Sequence, residues 1–342
     1  MKWQTRCAYA RPMALALQDR YGRVATDLRV SLTDRCNLRC SYCMPAEGLE
    51  WLPDEQTLTS DELVRLISVA VRLLGVTEVR FTGGEPLVRR GLVDIVGRTH
   101  ELGGVETSLT TNGLGLERIA TGLAEAGLDR INVSLDTVRA DTFAEITRRD
   151  RLPDVLAGLL AARAAGLEPI KINAVLLRGV NDDQAPELLR WCLARDYHLR
   201  FIEQMPLDAQ HSWNRATMIT AEEILERLYA EFELAPAVEP RGSAPAELFT
   251  VNGGPATVGV IASVTRPFCG ACDRVRLTAD GQVRNCLFAR EESDLRTALR
   301  AGASDRELAQ RWVAAVRGKR AGHGIDDPSF LQPDRPMSAI GG

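Results

Sequence analysis

Two groups of three cysteines lie near opposite ends of this 342-residue chain, and neither group has a fourth member. They are Cys36, Cys40 and Cys43, called here the first triplet, and Cys269, Cys272 and Cys286, called the second triplet. A structural zinc site or an ordinary iron–sulfur cluster is closed by four protein ligands. A four-iron cluster held by three thiolates leaves one iron free to bind another molecule. The pattern therefore predicts two open clusters, each able to bind a small molecule.

Zinc is the alternative occupant of the first triplet. Its Cys-x-x-x-Cys-x-x-Cys spacing is not usual for a zinc finger, and His100 is the only His or Cys before Cys192 that could complete a site. Eight cysteines are too few for a disulfide scaffold in a chain of this length. Outside the triplets, Cys7 and Cys192 remain, and Cys192 is predicted to be a small buried hydrophobe.

Composition restricts the class of protein. With 45% hydrophobic and 26% charged residues, the chain resembles soluble globular proteins. With a net charge of −4, the chain lacks the basicity of a protein that binds nucleic-acid polymers. This charge does not argue against a small phosphate ligand. We find no apolar run of about 18 residues, so no membrane span is expected. Arg11-Pro12 interrupts the weakly apolar start, which argues against a secretory signal and favours the cytoplasm.

Short strand patterns alternate with amphipathic helix patterns over most of the chain, which predicts an α/β fold with a parallel sheet. A complete eight-unit barrel needs about 250 residues. Six units instead predict a partial, TIM-type βα barrel that is open on one side. The six predicted strands cover residues 27–32, 78–81, 105–110, 129–134, 170–176 and 198–202.

The pattern changes after residue 235. Residues 236–245 are rich in Pro, Gly, Ala and Ser and predict a linker, and the last residues from Ala321 predict an irregular tail. We therefore expect two domains: the partial barrel in residues 1–235, and a smaller region in residues 236–342 that covers the open side. Strands are predicted in this second region at 247–252, 257–264, 275–278 and 283–288, followed by two helices.

Each barrel strand has polar side chains at alternate positions, whereas strands of parallel sheets are normally apolar throughout. Because successive side chains point to opposite faces, the apolar face must pack against the helices and the polar face must line the barrel interior. The polar face carries four cations from four strands: Arg29, Arg80, Lys171 and Arg200. Arg274 and Arg276 repeat the alternation in the second region. Buried charges need partners, so ion pairs or a polyphosphate bound between the two regions are predicted, and the shared parity favours the polyphosphate.

At this point the residues resemble a known superfamily. The first triplet with Tyr42 before Cys43 is similar to the cluster motif of radical S-adenosylmethionine enzymes. In that superfamily the open iron chelates the methionine part of the cofactor. Thr82-Gly83-Gly84-Glu85-Pro86, directly after the second predicted strand, resembles the segment that binds this methionine.

Within that superfamily the chain resembles the GTP 3′,8-cyclase family of molybdenum cofactor biosynthesis. The discriminating features are the second triplet and the terminal Gly341-Gly342. The first 20 residues or so and residues 236–245 lie outside the resemblance. Further matching segments are Asp27 to Asn37, Thr110-Thr111-Asn112-Gly113, Asn132 to Asp136, Gly179 to Asp182, and Arg200 to Met205.

The resemblance implies a reaction and its cofactors. Each triplet would hold a 4Fe-4S cluster, and the first cluster would cleave S-adenosylmethionine reductively to a 5′-deoxyadenosyl radical. That radical would take hydrogen from the 3′ carbon of GTP, and the substrate radical would close onto carbon 8 of guanine. The implied partners are an external electron donor and the downstream cyclic pyranopterin monophosphate synthase, and a homodimer is left open.

The same resemblance assigns contacts residue by residue. The second cluster would hold the guanine base through its open iron. The implied cofactor contacts are Tyr42, Gly84, Ser134 and Met205. The implied GTP contacts are Arg29, Arg80, Thr110, Lys171, Arg274, Val275 and Arg276. Arg200 is added from strand parity alone.

Three features of the sequence allow more than one interpretation. The terminal diglycine is a flexible end, a conjugation signal as in ubiquitin-like proteins, or a tail that reaches the active site, which we favour. His323, between two glycines, is interpreted as a loop residue. The alternative functions are another radical enzyme with an auxiliary cluster, such as a peptide maturase, and a non-enzymatic iron or redox sensor.

Overall fold

A computed structural model of the protein describes residues 15–341. Cys7, the break at Arg11-Pro12 and the final Gly342 lie outside the described residues, so the predictions made on them stay predictions. Within residues 15–341, none of the helices is both long enough and apolar enough to cross a membrane.

Six parallel strands form the barrel wall, as the sequence predicts. Neighbours in the chain pair with one another throughout, from β1 to β6. The predicted bounds agree with the observed ones to within a residue at each end. The strands are β1 Asp27–Ser31, β2 Glu78–Thr82, β3 Glu106–Thr111, β4 Arg130–Ser134, β5 Ile170–Val175 and β6 His198–Ile202.

Seven helices accompany these strands. The longest, α1, begins with a capping box in which Thr59 and Glu62 each bond the other's backbone amide, and it ends at Gly75, whose φ is +77°. Its apolar side faces the sheet and is buried, including Leu66 and Ile67. The helices are α1 Ser60–Leu74, α2 Leu92–His100, α3 Ala120–Glu125, α4 Ala140–Thr147, α5 Leu152–Ala164, α6 Ala185–Leu193 and α7 Ala221–Tyr229.

The remaining strands extend the same sheet at both edges. They are β7 Leu234–Pro236, β8 Glu247–Val251, β9 Thr257–Ile261, β10 Arg274–Leu277, β11 Gln282–Arg284 and β12 Ser293–Asp294. Strand β9 adds in parallel to β6, and β10 adds in parallel to β1. The sheet order is β12-β11-β10-β1-β2-β3-β4-β5-β6-β9-β8-β7, which has two ends. The barrel is therefore partial, and β7 runs across the predicted division at residue 235, which stays a prediction.

Three further helices follow: α8 Arg296–Arg300, α9 Asp305–Arg317 and α10 Met337–Ile340. The last of these corrects the prediction of an irregular tail. Ile340 is fully buried and packs with Leu207 and Phe288, so the chain end is anchored by an apolar side chain. A four-residue helix is too short to produce a periodic pattern, so it could not be predicted from the sequence.

The two faces of the barrel strands differ as parity predicts. Apolar side chains of one parity, such as Leu28, Phe81 and Ile172, are fully buried in the core between the sheet and the helices. Side chains of the other parity point away from this core. This arrangement directs Arg29, Arg80 and their neighbours toward the barrel interior.

Candidate active site

A cavity of about 270 Å³ occupies the barrel interior and extends to the second triplet. Polar-parity side chains of the strands form one part of its wall, and the loops around β10 and β11 form the other. It brings together most of the residues that the sequence assigned to one site. These are Arg29, Tyr42, Arg80, Thr110, Ser134, Arg200, Met205, Cys269, Cys272, Arg274, Arg276 and Cys286.

The first triplet lies on a loop after β1 that is tied to the glycine segment after β2. The Gly84 amide donates to the Thr33 carbonyl at 2.7 Å, and the Glu85 amide donates to the Arg35 carbonyl at 2.8 Å. A Cβ on Gly84 would lie 2.4 Å from the carbonyl oxygens of both Asp34 and Arg35. Gly84 is therefore required by close backbone approach. It does not line the cavity, and the predicted cofactor contact at Gly84 stays a prediction.

Glu85 connects three loops around the first triplet. Its carboxylate is 1% exposed and accepts hydrogen bonds from the Thr111 hydroxyl and the Asn112 amide, both at 2.7 Å. Burial raises the pKa of Glu85 to about 7. The Asn112 side-chain amide donates to Asn37 at 2.8 Å and lies 3.9 Å from the Cys36 sulfur. The threonine and asparagine after β3 thus help to position the first triplet.

The thiols of the first triplet are partly buried, and the loss of hydration raises the pKa of Cys36 to about 11 and that of Cys43 to about 12. The pKa of Cys40 rises because of burial and the nearby charges of Asp136 and the other two cysteines. Such thiols need a metal or another cation to become thiolates.

Asp136 is a site residue that sequence reasoning did not single out. It accepts from the Tyr42 hydroxyl at 2.9 Å and from the Val175 amide at 2.8 Å, and it lines the cavity. Burial raises its pKa to about 6. Its position two residues beyond β4, at the end of the barrel where active sites form, was an available signal.

The second triplet has a different electrostatic environment. Cys269 and Cys272 flank a tight turn before β10, and Cys286 follows β11. Burial opposes ionisation of Cys272, but the charges of Arg274 and Lys319 outweigh it and lower the pKa of this thiol to about 7. All seven cysteines of residues 15–341 are free of disulfides, so both triplets offer three thiols. His323 bonds the Ser263 carbonyl and packs on Phe288, which agrees with its interpretation as a loop residue.

Three arginines stand side by side on adjacent strands. Register pairs Arg29 with Arg276 on one side and with Arg80 on the other. One carboxylate, Asp27, lies near two of them, at 3.7 Å from Arg29 and 3.9 Å from Arg80. The Nε atoms of Arg29 and Arg80 and one Nη of Arg274 are buried without an acceptor in the described structure. Burial lowers the pKa of Arg29 and Arg276, yet guanidinium groups stay charged in proteins.

Lys171 lines a second cavity, of about 440 Å³, that meets the first at Arg80, Arg200 and Arg274. Burial, followed by the charges of neighbouring arginines, lowers the pKa of Lys171 to about 8. Arg200 is satisfied by neutral groups, donating to Asn132 at 2.8 Å and to Asn173 at 3.0 Å. Asp273 lies 3.9 Å from Arg274, so the interior arginines Arg29, Arg80 and Arg274 of the described chain share two nearby carboxylates, Asp27 and Asp273.

The side chain of Val275 does not line the cavity, and the GTP contact predicted for this residue stays a prediction. Val275 is 1% exposed, lies in the apolar core and pairs through its backbone with Leu28. Its neighbours Arg274 and Arg276 have the opposite parity and line the cavity.

The chain end reaches the same interior. Arg276 donates to the Gly341 carbonyl at 2.6 Å, and the Ser338 backbone amide bonds the Cys43 sulfur. Gly341 has a φ of +75°, and a Cβ there would lie 2.5 Å from the Thr82 methyl group. The tail thus contacts a ligand candidate of the first triplet and a cation of the GTP set.

The donor set fits the cofactors that the resemblance implies. Each triplet supplies thiol sulfur, which is the usual ligand of iron–sulfur clusters. The buried guanidinium donors without acceptors fit an anionic ligand between the triplets. Within the described chain, no three His, Cys, Asp or Glu side chains are arranged to hold a single metal ion.

Two family matches divide the chain. Residues 30–192 match the radical SAM superfamily, and residues 197–325 match the family described as Molybdenum Cofactor Synthesis C. The chain is 66% identical over 335 residues to the GTP 3′,8-cyclase of Streptomyces coelicolor, covering 97% of this chain and 98% of that one. It is 64% identical to that of Mycolicibacterium smegmatis, covering 95% and 92%.

Among solved structures, the fold is similar to Streptococcus suis SuiB bound to S-adenosylmethionine. The TM-score is 0.59 at 15% identity, covering 87% of this chain and 69% of that one. At this identity the similarity is one of fold, and it agrees with a partial barrel.

Proposed function

Since this chain belongs to the GTP 3′,8-cyclase family of the radical SAM superfamily, we propose that it converts GTP to (8S)-3′,8-cyclo-7,8-dihydroguanosine 5′-triphosphate. This reaction is the first step of molybdenum cofactor biosynthesis, with which the match over residues 197–325 agrees. One observation supports the proposal most directly: a row of arginines with unsatisfied donors faces a cavity that the second triplet also lines.

The first triplet would hold a 4Fe-4S cluster through Cys36, Cys40 and Cys43. Together with S-adenosylmethionine, this cluster supplies the 5′-deoxyadenosyl radical that starts the reaction. Asn112 and the buried Glu85 hold the cysteine loop in place. Tyr42, Ser134 and Met205 line the cavity wall, where they would contact the cofactor.

The second triplet would hold a second 4Fe-4S cluster through Cys269, Cys272 and Cys286, with an open iron for the guanine base. Arg29, Arg80, Arg274 and Arg276 would neutralise the triphosphate, and the unsatisfied N–H groups of Arg29, Arg80 and Arg274 would donate to its oxygens. Thr110 lines the same cavity, and Lys171 would extend the binding surface into the adjoining one. A neutral peptide substrate, as in the maturase alternative, would leave the unsatisfied donors of Arg29, Arg80 and Arg274 without an anionic acceptor.

The proposal includes partners outside this chain: an external electron donor for the first cluster and, for the product, cyclic pyranopterin monophosphate synthase downstream. A cytoplasmic location is proposed as well, supported by seven thiols free of disulfides. A homodimer stays open, and sedimentation of the reconstituted protein would decide it.

The decisive experiment is anaerobic reconstitution followed by incubation with GTP, S-adenosylmethionine and a reductant. Mass analysis should reveal a nucleotide isomer of GTP that differs in fragmentation, together with 5′-deoxyadenosine and methionine. A variant with Cys36, Cys40 and Cys43 replaced by Ala should form none of these. Cleavage of S-adenosylmethionine that leaves GTP unchanged, with no deuterium transferred from 3′-deuterated GTP to 5′-deoxyadenosine, would contradict the proposed substrate.

A further inference from the structure

Lys319 is a buried lysine beside the second triplet, and no sequence motif assigned it a role. It follows the end of α9 and is 4% exposed. Its ammonium group donates to the Arg274 carbonyl at 2.8 Å, to the Cys272 sulfur at 3.2 Å and to the Cys272 carbonyl at 3.3 Å. An ammonium group has three N–H donors, so each has an acceptor.

The charge of Lys319 requires an anionic partner, because a buried ammonium without one is strongly unfavourable. Within residues 15–341 it forms no ion pair with a carboxylate, and its other two contacts are neutral carbonyls. The Cys272 sulfur is therefore its anionic partner. This contact matches a cysteine that acts as a thiolate ligand.

A second contact fixes the same helix end to the second triplet. The Asn285 side chain, next to Cys286, donates to the Ala315 carbonyl in α9 at 2.8 Å. Trp312, one turn earlier in α9, is fully buried and anchors the helix in the core. The end of α9 is thus held against both halves of the second triplet.

The choice of lysine is informative in this chain. Of 42 lysines and arginines, lysine occurs at Lys2, Lys171 and Lys319. A guanidinium group has five N–H donors in a planar fork, so at residue 319 it would bury donors without acceptors. A compact ammonium matches the three acceptors that converge there.

We propose that Lys319 is a positioning residue for the second cluster, which orients Cys272 and raises the cluster's reduction potential. The inference rests on the proposed function, because it requires that the second triplet holds a cluster. Hydrogen bonds to ligand sulfur and nearby positive charge both stabilise the more negative, reduced form of a cluster. No carboxylate offsets this charge within the described residues.

The test is a redox titration of the reconstituted full-length protein followed by electron paramagnetic resonance, comparing wild type with Lys319→Met. A background in which Cys36, Cys40 and Cys43 are replaced by Ala isolates the signal of the second cluster. We expect the midpoint potential to shift to a more negative value in Lys319→Met, with altered g-values. Lys319→Arg keeps the charge and should show a smaller shift. Arg320→Met removes an exposed neighbouring charge and is the matched control.

The outcomes separate the inference from the proposed function. Loss of iron from the second cluster in Lys319→Met but not in Lys319→Arg would also support positioning by the charge. Unchanged potential, g-values and iron content in Lys319→Met would overturn the inference while the second cluster stands. Wild-type protein with iron at the first triplet alone would overturn the second cluster itself, and with it this role of Lys319.

Discussion

At the scale of single residues, the neighbouring arginines Arg29, Arg80 and Arg276 are the groups whose charge should bind GTP. Arg29→Ala and Arg80→Ala should each weaken GTP binding by about 1.5–3 kcal/mol, the range for hydrogen bonds to charged groups. Folding should be little affected, because each variant removes a buried donor that has no acceptor in the described structure, while Asp27 keeps the other arginine as a partner. Calorimetric titration with GTP and a thermal melt measure both effects, and Arg118→Ala, on the surface, is the control. Lower melting temperatures with intact GTP affinity would mark these arginines as structural.

Because Lys171 can lose its charge near neutral pH, we expect a pH dependence of GTP binding that an arginine at this position would not produce. Its pKa in the free protein is lowered to about 8, so the ammonium charge is lost as pH rises through that value. Affinity for GTP should therefore fall between about pH 7 and pH 9, whereas Lys171→Arg should hold its affinity across this range. The folded state also binds fewer protons than the unfolded chain above pH 8, so the contribution of Lys171 to stability should rise with pH there. An equal decline of GTP affinity with pH in the wild type and in Lys171→Arg would contradict the assignment of Lys171 to the GTP site.

At the scale of elements, the glycine segment after β2 and the first cysteine loop form one unit. Gly84→Ala places a Cβ 2.4 Å from two backbone carbonyls, so the loop of the first triplet must shift. We expect a loss of about 1–3 kcal/mol of stability, typical of overpacking, together with iron loss at the first triplet. Gly97→Ala, in α2 with only ordinary contacts near its Cβ, is the control and should keep both. Normal iron content in Gly84→Ala would show that the loop tolerates the side chain.

The tail is the second element with a separable role. Deleting Gly341 and Gly342 leaves Ile340 buried, so iron content, melting temperature and GTP affinity should be retained. Product formation should nevertheless fall strongly, because Arg276, which lines the cavity, loses its bond to the Gly341 carbonyl. Gly341→Ala should show the same selective defect, since its Cβ would meet Thr82 at 2.5 Å. Undiminished turnover of the truncated protein would identify the tail as inert.

At the scale of the whole molecule, one continuous sheet carries both triplets. Anaerobically reconstituted protein should contain roughly eight irons per chain, from two four-iron clusters. Replacing Cys269, Cys272 and Cys286 with Ala should halve this number and leave S-adenosylmethionine cleavage in the absence of GTP. Iron assay and product analysis measure this, and about one zinc with no iron would contradict the radical mechanism.

The sequence by itself determined the barrel strands, α1 and the two triplets. These signals are local: period-two alternation, a capping box at Thr59 and Glu62, and short cysteine spacings. Parity also placed Arg29, Arg80 and Arg200 in the interior, because alternation along a strand depends on backbone geometry alone. The family motifs added the cofactors and the substrate.

Tertiary structure alone decided which distant segments meet. That β9 and β10 extend opposite edges of one sheet depends on pairing between strands far apart in the chain, which no local pattern encodes. The burial of Ile340, the bond from Arg276 to Gly341 and the contact of Lys319 with Cys272 arise in the same way. Parity places the Val275 side chain in the core, so the GTP contact that the motif implies for this residue would have to come from its backbone. Contacts of this kind depend on packing in three dimensions, so a one-dimensional pattern does not specify them.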